Sequence, residues 1–505
     1  MPEIATETEL LAHLADPASP PVRTVGGELV GETIRRLVRT SDELPLLRHL
    51  RIEGDVELEW LRTKRPVRFE GCTFDGGGTL VVEGAEIAAL DLDGCDLGAL
   101  RAHGLRTEGW VRIRTSTIRR KIELIDARIG GSCYIDEVTV ASKDAPQTGN
   151  AVNLYRADIA GALYVSAGTT IFGRLRLIDA TVQGVVSIVN CTIDNGRDRR
   201  AISAERLTAN TVFIRGTTTK VVGGLSLVGA RIAVSLSLIN LHIDAGKVPA
   251  LRLAGADVGY RLHIEPSQIT GSINLVGART ATFTYGRRCI DQVTQLNADR
   301  FAYEAVTFRE PDAEGRFSGQ PDLPPPDIGR LIDLVSSRRE GLYIPTSYDV
   351  LARALDRAGD GRAQTVRIAG ARASVGTSGD GALRTFRRRA AGWPFAFGHR
   401  PSRAAGILAL TIVALAVIAH LTRDVFVPAS SSGNETGFNA LGYAADVVLP
   451  IIDLGQESRW QIDASQKWAD LVEPLVWLAI VIGWVSSTAF LIALQRYFRS
   501  SQGSG

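Results

Sequence analysis

Side chains able to do redox, metal or nucleophilic chemistry are few in this chain and scattered. The five cysteines are Cys72, Cys95, Cys133, Cys191 and Cys289. A metal centre would need them clustered with CxxC-type spacing, and no such cluster exists. Four follow Gly, Ser or Asn and precede a strand-favouring residue (GCTF, GCDL, SCYI, NCTI), so they read as small apolar fillers pointing inward. The histidines (His13, His49, His103, His242, His263, His399, His420) are dispersed and contain no HExxH. A nicotinamide or flavin site would need GxGxxG between a strand and a helix. Gly376, Gly379 and Gly381 have the wrong spacing, and Asp75-Gly76-Gly77-Gly78 reads as a turn. Neither a haem-attachment motif nor a redox CxxC is present. No catalytic, cofactor-binding or metal-binding residue is therefore assigned, and no cofactor is expected. Asp91, Asp93 and Asp96 form an acidic patch of the kind a β-helix polysaccharide lyase would place in an exterior groove. They read rather as charges on a solvated strand face.

The composition says what must position these residues. In 505 residues, 57 basic side chains face 55 acidic ones, 45% are apolar and only 6% aromatic, and Gly reaches 51. This balance excludes disorder, a strongly basic nucleic-acid binder and a disulfide-built scaffold. Short segments recur with alternating aliphatics, a polar or Gly residue, a small residue and a closing aliphatic. Examples are VVEGAEI (81–87), ELIDARI (123–129), RLIDATV (176–182) and SLVGARI (226–232). The small residue falls at Ala85, Cys95, Ala127, Ala157, Ala180, Cys191, Ala230 and Ala256, in short local steps such as Ala85 to Cys95 and Ala180 to Cys191. Period-2 alternation predicts strands buried on one face, and the recurring corner predicts a stacked ladder of small residues. The expected fold is mainly β, a right-handed parallel β-helix (solenoid) over 49–285 with two such units per coil. At ~22 residues per coil and ~4.8 Å between strands this makes about ten coils and about 50 Å.

Residues 1–48 are expected to form an N-terminal helical cap, with helices over Glu7–Ala15 and Gly31–Thr40. Residues 286–380 read as a loop and helical connector containing Pro324-Pro325-Pro326. Its helices are expected over 327–337, 347–358 with Ser347 as N-cap, and 362–373. Tyr348, Leu351, Ala352 and Leu355 share one helical face. A single hairpin of the tetratricopeptide kind reads as a cap or docking element. Ser374 to Gly381 is a flexible linker.

The start, with Glu3, Glu7 and Glu9, does not read as a secretory signal. Two uncharged apolar runs, 404–421 and 475–494, are each about long enough for a ~30 Å hydrocarbon core and predict a two-helix transmembrane hairpin. Arg384, Arg387, Arg388, Arg389, Arg400 and Arg403 precede the first run, within the basic juxtamembrane segment 381–403. Arg496 and Arg499 follow the second, in the tail 495–505. The loop 422–474 has eight acids and three bases. The positive-inside rule places both termini and the solenoid in the cytoplasm of a bacterial inner membrane, with anionic headgroups as partners of the basic segment. All five thiols are then expected to be reduced. Within the loop, the apolar stretch 438–454, interrupted by Asp446, Pro450 and Asp453, is expected either to lie on the membrane or to re-enter it.

Four features then carry a resemblance: ETIRRLV (32–38), the repeat units, GLYIPTSYDVLARALDRAG (341–359) and DVVLPIIDLGQESRW (446–460) before a Trp-containing second span. Together they resemble a group of actinobacterial two-span membrane proteins with pentapeptide-like β-solenoid repeats. Members are often labelled membrane-associated oxidoreductases, an activity that the resemblance implies and no motif above supplies. The residues favour a non-enzymatic scaffold for protein interaction or self-assembly, with an unknown protein or a second copy as partner and no nucleic acid. A sensor-gated oligomeric pore is the alternative, and the labelled oxidoreductase a second one.

Overall fold

The computed structural model describes residues 3–16, 23–41, 44–141, 149–286, 292–293, 295–309, 327–329, 331–332, 345–375, 401–429, 437–450 and 453–502. The chain forms two compact units, Met1–Asp360 and Gly361–Gly505.

The first unit is a parallel β-solenoid of about twelve turns. One of its ladders stacks twelve strands from Leu47–Arg48 to Ala302–Phe308, every neighbouring pair parallel. Each coil contributes four short strand segments. In one coil these are Leu90–Asp93, the two halves of the bulged Asp96–Arg101, and Arg106–Thr107. Ladder partners include Leu90↔Val111, Val111↔Cys133 and Leu236↔Leu262, so coils differ in length while the rungs stay in register. Alternation explains the stacking: Leu90 and Leu92, Val111 and Ile113, Cys133 and Ile135 all point inward and are buried, while the residues between them face out. Backbone donors bond the next coil, so the ladder satisfies the polar groups that the turns expose.

The solenoid runs further than the aliphatic pattern indicates. Gln295–Asn297 and Ala302–Phe308 add a further coil after Tyr285. Here aromatics replace the aliphatics: Phe283 meets Phe301 at 5.2 Å and Tyr285 meets Phe308 at 5.6 Å. At the other end the short strand Glu3–Ile4 pairs with Arg23–Gly26, which pairs with Leu50–Glu53.

One corner is turned by the same four-residue device in every coil. The N–H of residue 61 donates to the carbonyl of Leu58, and the same bond recurs at 85, 105, 127, 157, 180, 207, 230, 256, 278 and 301, at 2.9 to 3.3 Å. The third residue of each turn is left-handed, with φ between 52° and 65° at Trp60, Gly84, Gly104, Asp126, Arg156, Asp179, Arg206, Gly229, Gly255, Gly277 and Arg300. Glycine and Asp adopt this conformation at low cost, and the ladder imposes it on the arginines.

The first and fourth residues of these turns are buried and exchange volume. Val82, Leu124, Leu154, Leu177, Leu227, Leu253 and Leu275 are each followed three positions later by Ala. Three coils reverse the order: Ala102 with Leu105, Ala204 with Leu207, and Ala298 with Phe301. The first corner, Leu58 with Leu61, holds two large side chains, and each of the ten later corners holds one large and one small side chain, as a close-packed interior of fixed cross-section requires.

A second set of connections alternates between long and tight. Gly173, Gly223 and Gly271 turn tightly, with φ of 134°, 119° and 126°. Between them the chain makes longer connections at 195–199 and 245–250. These two loops meet across the intervening coil. Arg197 pairs with Asp244 at 2.7 Å, Asp198 N–H donates to the Ala245 carbonyl at 3.2 Å, and Lys247 N–H donates to the Asp198 carboxylate. Beneath them a Cβ on Gly223 would lie 2.7 Å from the Arg199 carbonyl, and one on Gly224 2.7 Å from that of Pro249.

Helices cover both ends of the solenoid. Helix α1 (Glu7–Ala15) starts in a capping box between Thr6 and Glu9. Helix α2 (Gly27–Thr40) lies against the first coil so closely that Gly27 and Gly31 face the carbonyls of Asp55 and Glu57. Arg35 reaches the carbonyls of Glu57 (3.3 Å) and Glu59 (3.1 Å), supplying donors to the open edge. At the far end helix α3 (Pro345–Arg357) buries Tyr348, Leu351, Ala352 and Leu355. Ser347, expected as its N-cap, sits inside the helix, because Pro345 takes an early position suited to its fixed φ. Its buried hydroxyl donates to the Ala298 carbonyl at 3.1 Å. Of the helix expected over 327–337, residues 328–329 and 331–332 are helical and the remainder lies outside the described residues. So do Pro324-Pro325-Pro326.

The second unit contains helices α4 (Ala363–Val375), α5 (Pro401–Leu421), α6 (Ala440–Val448) and α7 (Ala469–Gln502). A two-stranded antiparallel ribbon pairs Phe426–Pro428 with Trp460–Ile462. Leu415 and Ala419 of α5, Tyr443, Ala444, Val447 and Val448 of α6, and Val472, Val476 and Ala479 of α7 form one core. The end of α6 rests on Gly483 of α7, where a Cβ would lie 2.2 Å from the Val448 carbonyl. In α7 the 24-residue stretch Ala469–Ile492, of mean hydropathy 2.2, is long and apolar enough to cross a membrane. The apolar stretch of α5, Ala405–Leu421, is shorter.

Candidate functional site

The acidic patch resolves into ion pairs between coils. Asp91 lies 3.5 Å from Arg112 and Asp93 2.7 Å from Arg114, each pair being ladder partners one coil apart. Asp93 also accepts from the Thr115 hydroxyl at 2.6 Å. Asp96 takes two bonds from Arg119, at 2.6 and 2.8 Å. The same construction recurs at Glu83–Arg101, Asp126–Arg156 and Asp179–Arg206. Hydrogen bonds from Arg156 and Arg206 hold the carboxyls of Asp126 and Asp179 below the usual carboxylate range. Burial pushes Asp91 the other way, partly opposed by Arg112 and Arg114. Carboxylates bound in this way do not converge on a groove, and their chemistry is that of matched rungs.

The small-residue ladder forms two columns. Ala85, Ala127, Ala157, Ala180, Ala230 and Ala256 are the fourth residues of the turn described above, in one column with Leu105 and Leu207. Cys95 and Cys191 belong to a second column with Cys72, Ser116, Val138, Thr169 and Thr219, each preceding a ladder strand. Cys133 occupies an inward strand position between Val111 and Leu163. Burial pushes the Cys133 and Cys191 thiols up to about 12, and Cys95 is pushed up by its hydrogen bond with Cys72 and by burial. Cys289 lies outside the described residues. Among the described residues, no three His, Cys, Asp or Glu side chains are grouped to hold a metal ion.

The outward face of the long ladder carries a feature that the spacing conceals. Arg112, Tyr134 and Tyr164 occupy successive rungs. The Arg112 guanidinium lies 5.0 Å from the Trp110 ring and 5.6 Å from that of Tyr134, and Tyr134 stacks on Tyr164 at 5.1 Å. Tyr155 holds two further arginines, Arg176 at 4.4 Å and Arg156 at 5.1 Å. These cation–π and stacking contacts make a rigid aromatic–arginine surface. Its sequence signal is broken by the segment 142–148, which makes the step from Tyr134 to Tyr164 longer than the steps before it. On the same ladder His263 and Glu265 are outward-pointing yet buried, their side chains 3.2 Å apart.

In the second unit Asp446 sits in α6 and binds three backbone N–H groups, of Leu454 (2.6 Å), Gln456 (2.6 Å) and Glu457 (2.8 Å). Burial works to raise its pKa, but these donors together hold the carboxyl below its ordinary range. Asp453 accepts from Gly455 N–H at 2.8 Å. Asp446, Pro450, Asp453, Glu457 and Trp484 line an open cleft of about 540 Å³. Of the basic residues expected beside the membrane, Arg403 lies in the first turn of α5, and Arg496 and Arg499 lie near the end of α7. Arg384, Arg387, Arg388, Arg389 and Arg400 lie outside the described residues.

Comparison with known families, with curated proteins and with solved structures found no match in any of the three.

Proposed function

We propose that this protein is a membrane-anchored scaffold whose solenoid binds a protein partner or a second copy and performs no chemistry of its own. One observation carries the reading: the outward carboxylates of Asp91, Asp93, Asp96, Asp126 and Asp179 are each matched with an arginine from the adjacent coil. Such a surface is stiff, and the Trp110–Arg112–Tyr134–Tyr164 stack adds rigid aromatic area of the kind that protein interfaces favour. The finer architecture belongs to the same proposal: a right-handed solenoid, a two-helix hairpin formed by α5 and α7, and cytoplasmic placement of the solenoid and both termini. Exposed Trp477, Leu478, Val481, Trp484 and Val485 on α7 support a lipid-facing surface.

Topology is tested by placing a cysteine at the exposed Ala464 and labelling intact cells with a membrane-impermeant maleimide. The four described native cysteines are buried, which keeps the background low. Labelling of Ala464→Cys is expected, and protection from the reagent until lysis would reverse the topology. Dye flux through liposomes that depends on 440–448 would replace the scaffold with a pore.

A further inference from the structure

Many arginines on the solenoid surface are answered by a carboxylate, and Arg174 is not. Arg174 and Arg176 project from the same strand, which pairs with the strand Arg200–Ser203 of the next coil. The Nε of Arg174 donates only to a backbone carbonyl, that of Arg200, at 3.4 Å, and the side chain has no carboxylate partner among the described residues. One acid serves the group: Glu205 accepts from Arg200 at 3.1 Å. Burial, then the charges of Arg200, Arg176 and Arg199, make the protonated form of Arg174 harder to hold, with Glu205 opposing.

A second observation comes from the neighbouring rungs. Ser203 and Ser226 stand in register between Arg176 and Arg252, so two short side chains lie between two long cationic ones. Ser203 is 1% exposed and Ser226 0%, yet neither hydroxyl has a hydrogen-bond partner. The same is true of the buried Asn195 Oδ1, whose Nδ2 donates to the Arg200 carbonyl at 2.6 Å. Arg200 pairs with Glu205 and Arg176 lies over the Tyr155 ring, so Arg174 is the unmatched cation, and an unmatched cation beside unmatched buried hydroxyls is costly. A tetrahedral oxyanion would relieve both, since it accepts from guanidinium forks and from hydroxyls and spans a ~4.8 Å strand spacing.

We propose that Arg174, Arg176 and Arg200, with the hydroxyls of Ser203 and Ser226, bind a phosphate group, free or as a phosphomonoester. The test uses the full chain in detergent micelles and follows thermal unfolding of the solenoid against inorganic phosphate, with chloride at matched ionic strength as reference. A second arm uses glycerol 3-phosphate. The unfolding midpoint is expected to rise with phosphate or with the ester beyond the chloride reference, as binding to the folded state requires. A rise with the ester alone identifies a phosphomonoester as the ligand. R174Q is expected to weaken the response about tenfold, the loss of one charge-assisted contact. Without phosphate, R174Q should unfold at or above the wild-type midpoint, because it removes a repulsion. R174K, which keeps the charge and loses the fork, should respond in between. R114Q, whose arginine is already paired with Asp93, should respond like wild type. A response no larger than that to chloride, or one unchanged in R174Q, or one lost equally in R114Q, would overturn the proposal.

Discussion

The exchange of volume between the first and fourth turn residues makes a quantitative prediction at Leu154 and Ala157. Both are buried, at 0% and 1% exposure, and the turns on either side, Leu124/Ala127 and Leu177/Ala180, have the same order. Leu154→Ala alone opens a cavity and should cost about 2–5 kcal/mol. Ala157→Leu alone forces three extra carbons into a filled corner and should cost about 1–3 kcal/mol. Independent effects would sum to roughly 3–8 kcal/mol. The double variant instead recreates the arrangement found at Ala102/Leu105 and Ala204/Leu207, and as a volume-conserving exchange it should cost less than about 1.5 kcal/mol. The coupling energy should therefore be at least about 1.5 kcal/mol in favour of the double variant. Urea unfolding of the full chain gives the shifts in midpoint. Amide hydrogen exchange in peptides spanning 150–182 reports the affected coils locally. Additive losses in the double variant would refute the idea that each corner has a fixed volume shared by two positions.

Two further outcomes test the turns and the ion pairs. Gly255→Ala meets nothing within 4 Å and should cost only the left-handed penalty of about 1 kcal/mol, whereas Gly223→Ala should cost clearly more, because its Cβ would also lie 2.7 Å from the Arg199 carbonyl. Comparing the two urea midpoints decides this, and equal losses would show that the overlying loop yields freely. The depressed carboxyls of Asp126 and Asp179 contribute stability that is complete above the unfolded aspartate pKa of about 3.9 and is lost as pH falls through the folded values. The double variant D126N/D179N should therefore lose less stability than wild type between about pH 5 and pH 2 in acid titrations followed by circular dichroism. An identical acid limb in both proteins would remove these pairs from the account.

Much of the solenoid is legible in the sequence, because period-2 alternation and small corner residues are local signals. What escapes depends on distance along the chain. The ladder of Ala85 to Ala256 separates into two columns because both corners of a coil use a small residue before an aliphatic, so a short step along the chain cannot say which corner is meant. The final coil escapes because Phe301, Tyr303 and Phe308 do the work of Leu and Ile there. The charge pairing escapes for a different reason. Asp91 and Arg112 are separated by a whole coil of sequence, and only the register places them on adjacent rungs. The Asp446 anchor is similar: its bonds to Leu454, Gln456 and Glu457 turn an acid in an apolar stretch into a loop fastener.

The alternation of long and tight connections also sets the size of the unit that repeats. Gly173, Gly223 and Gly271 recur at intervals of two coils rather than one. Each tight glycine lies against the longer connection of a neighbouring coil, and two such connections side by side would compete for the same space. Deleting one coil of this stretch would set two long or two tight connections side by side, whereas deleting two coils would keep the alternation. The structural repeat of this stretch is therefore the coil pair, about fifty residues long, and not the single coil.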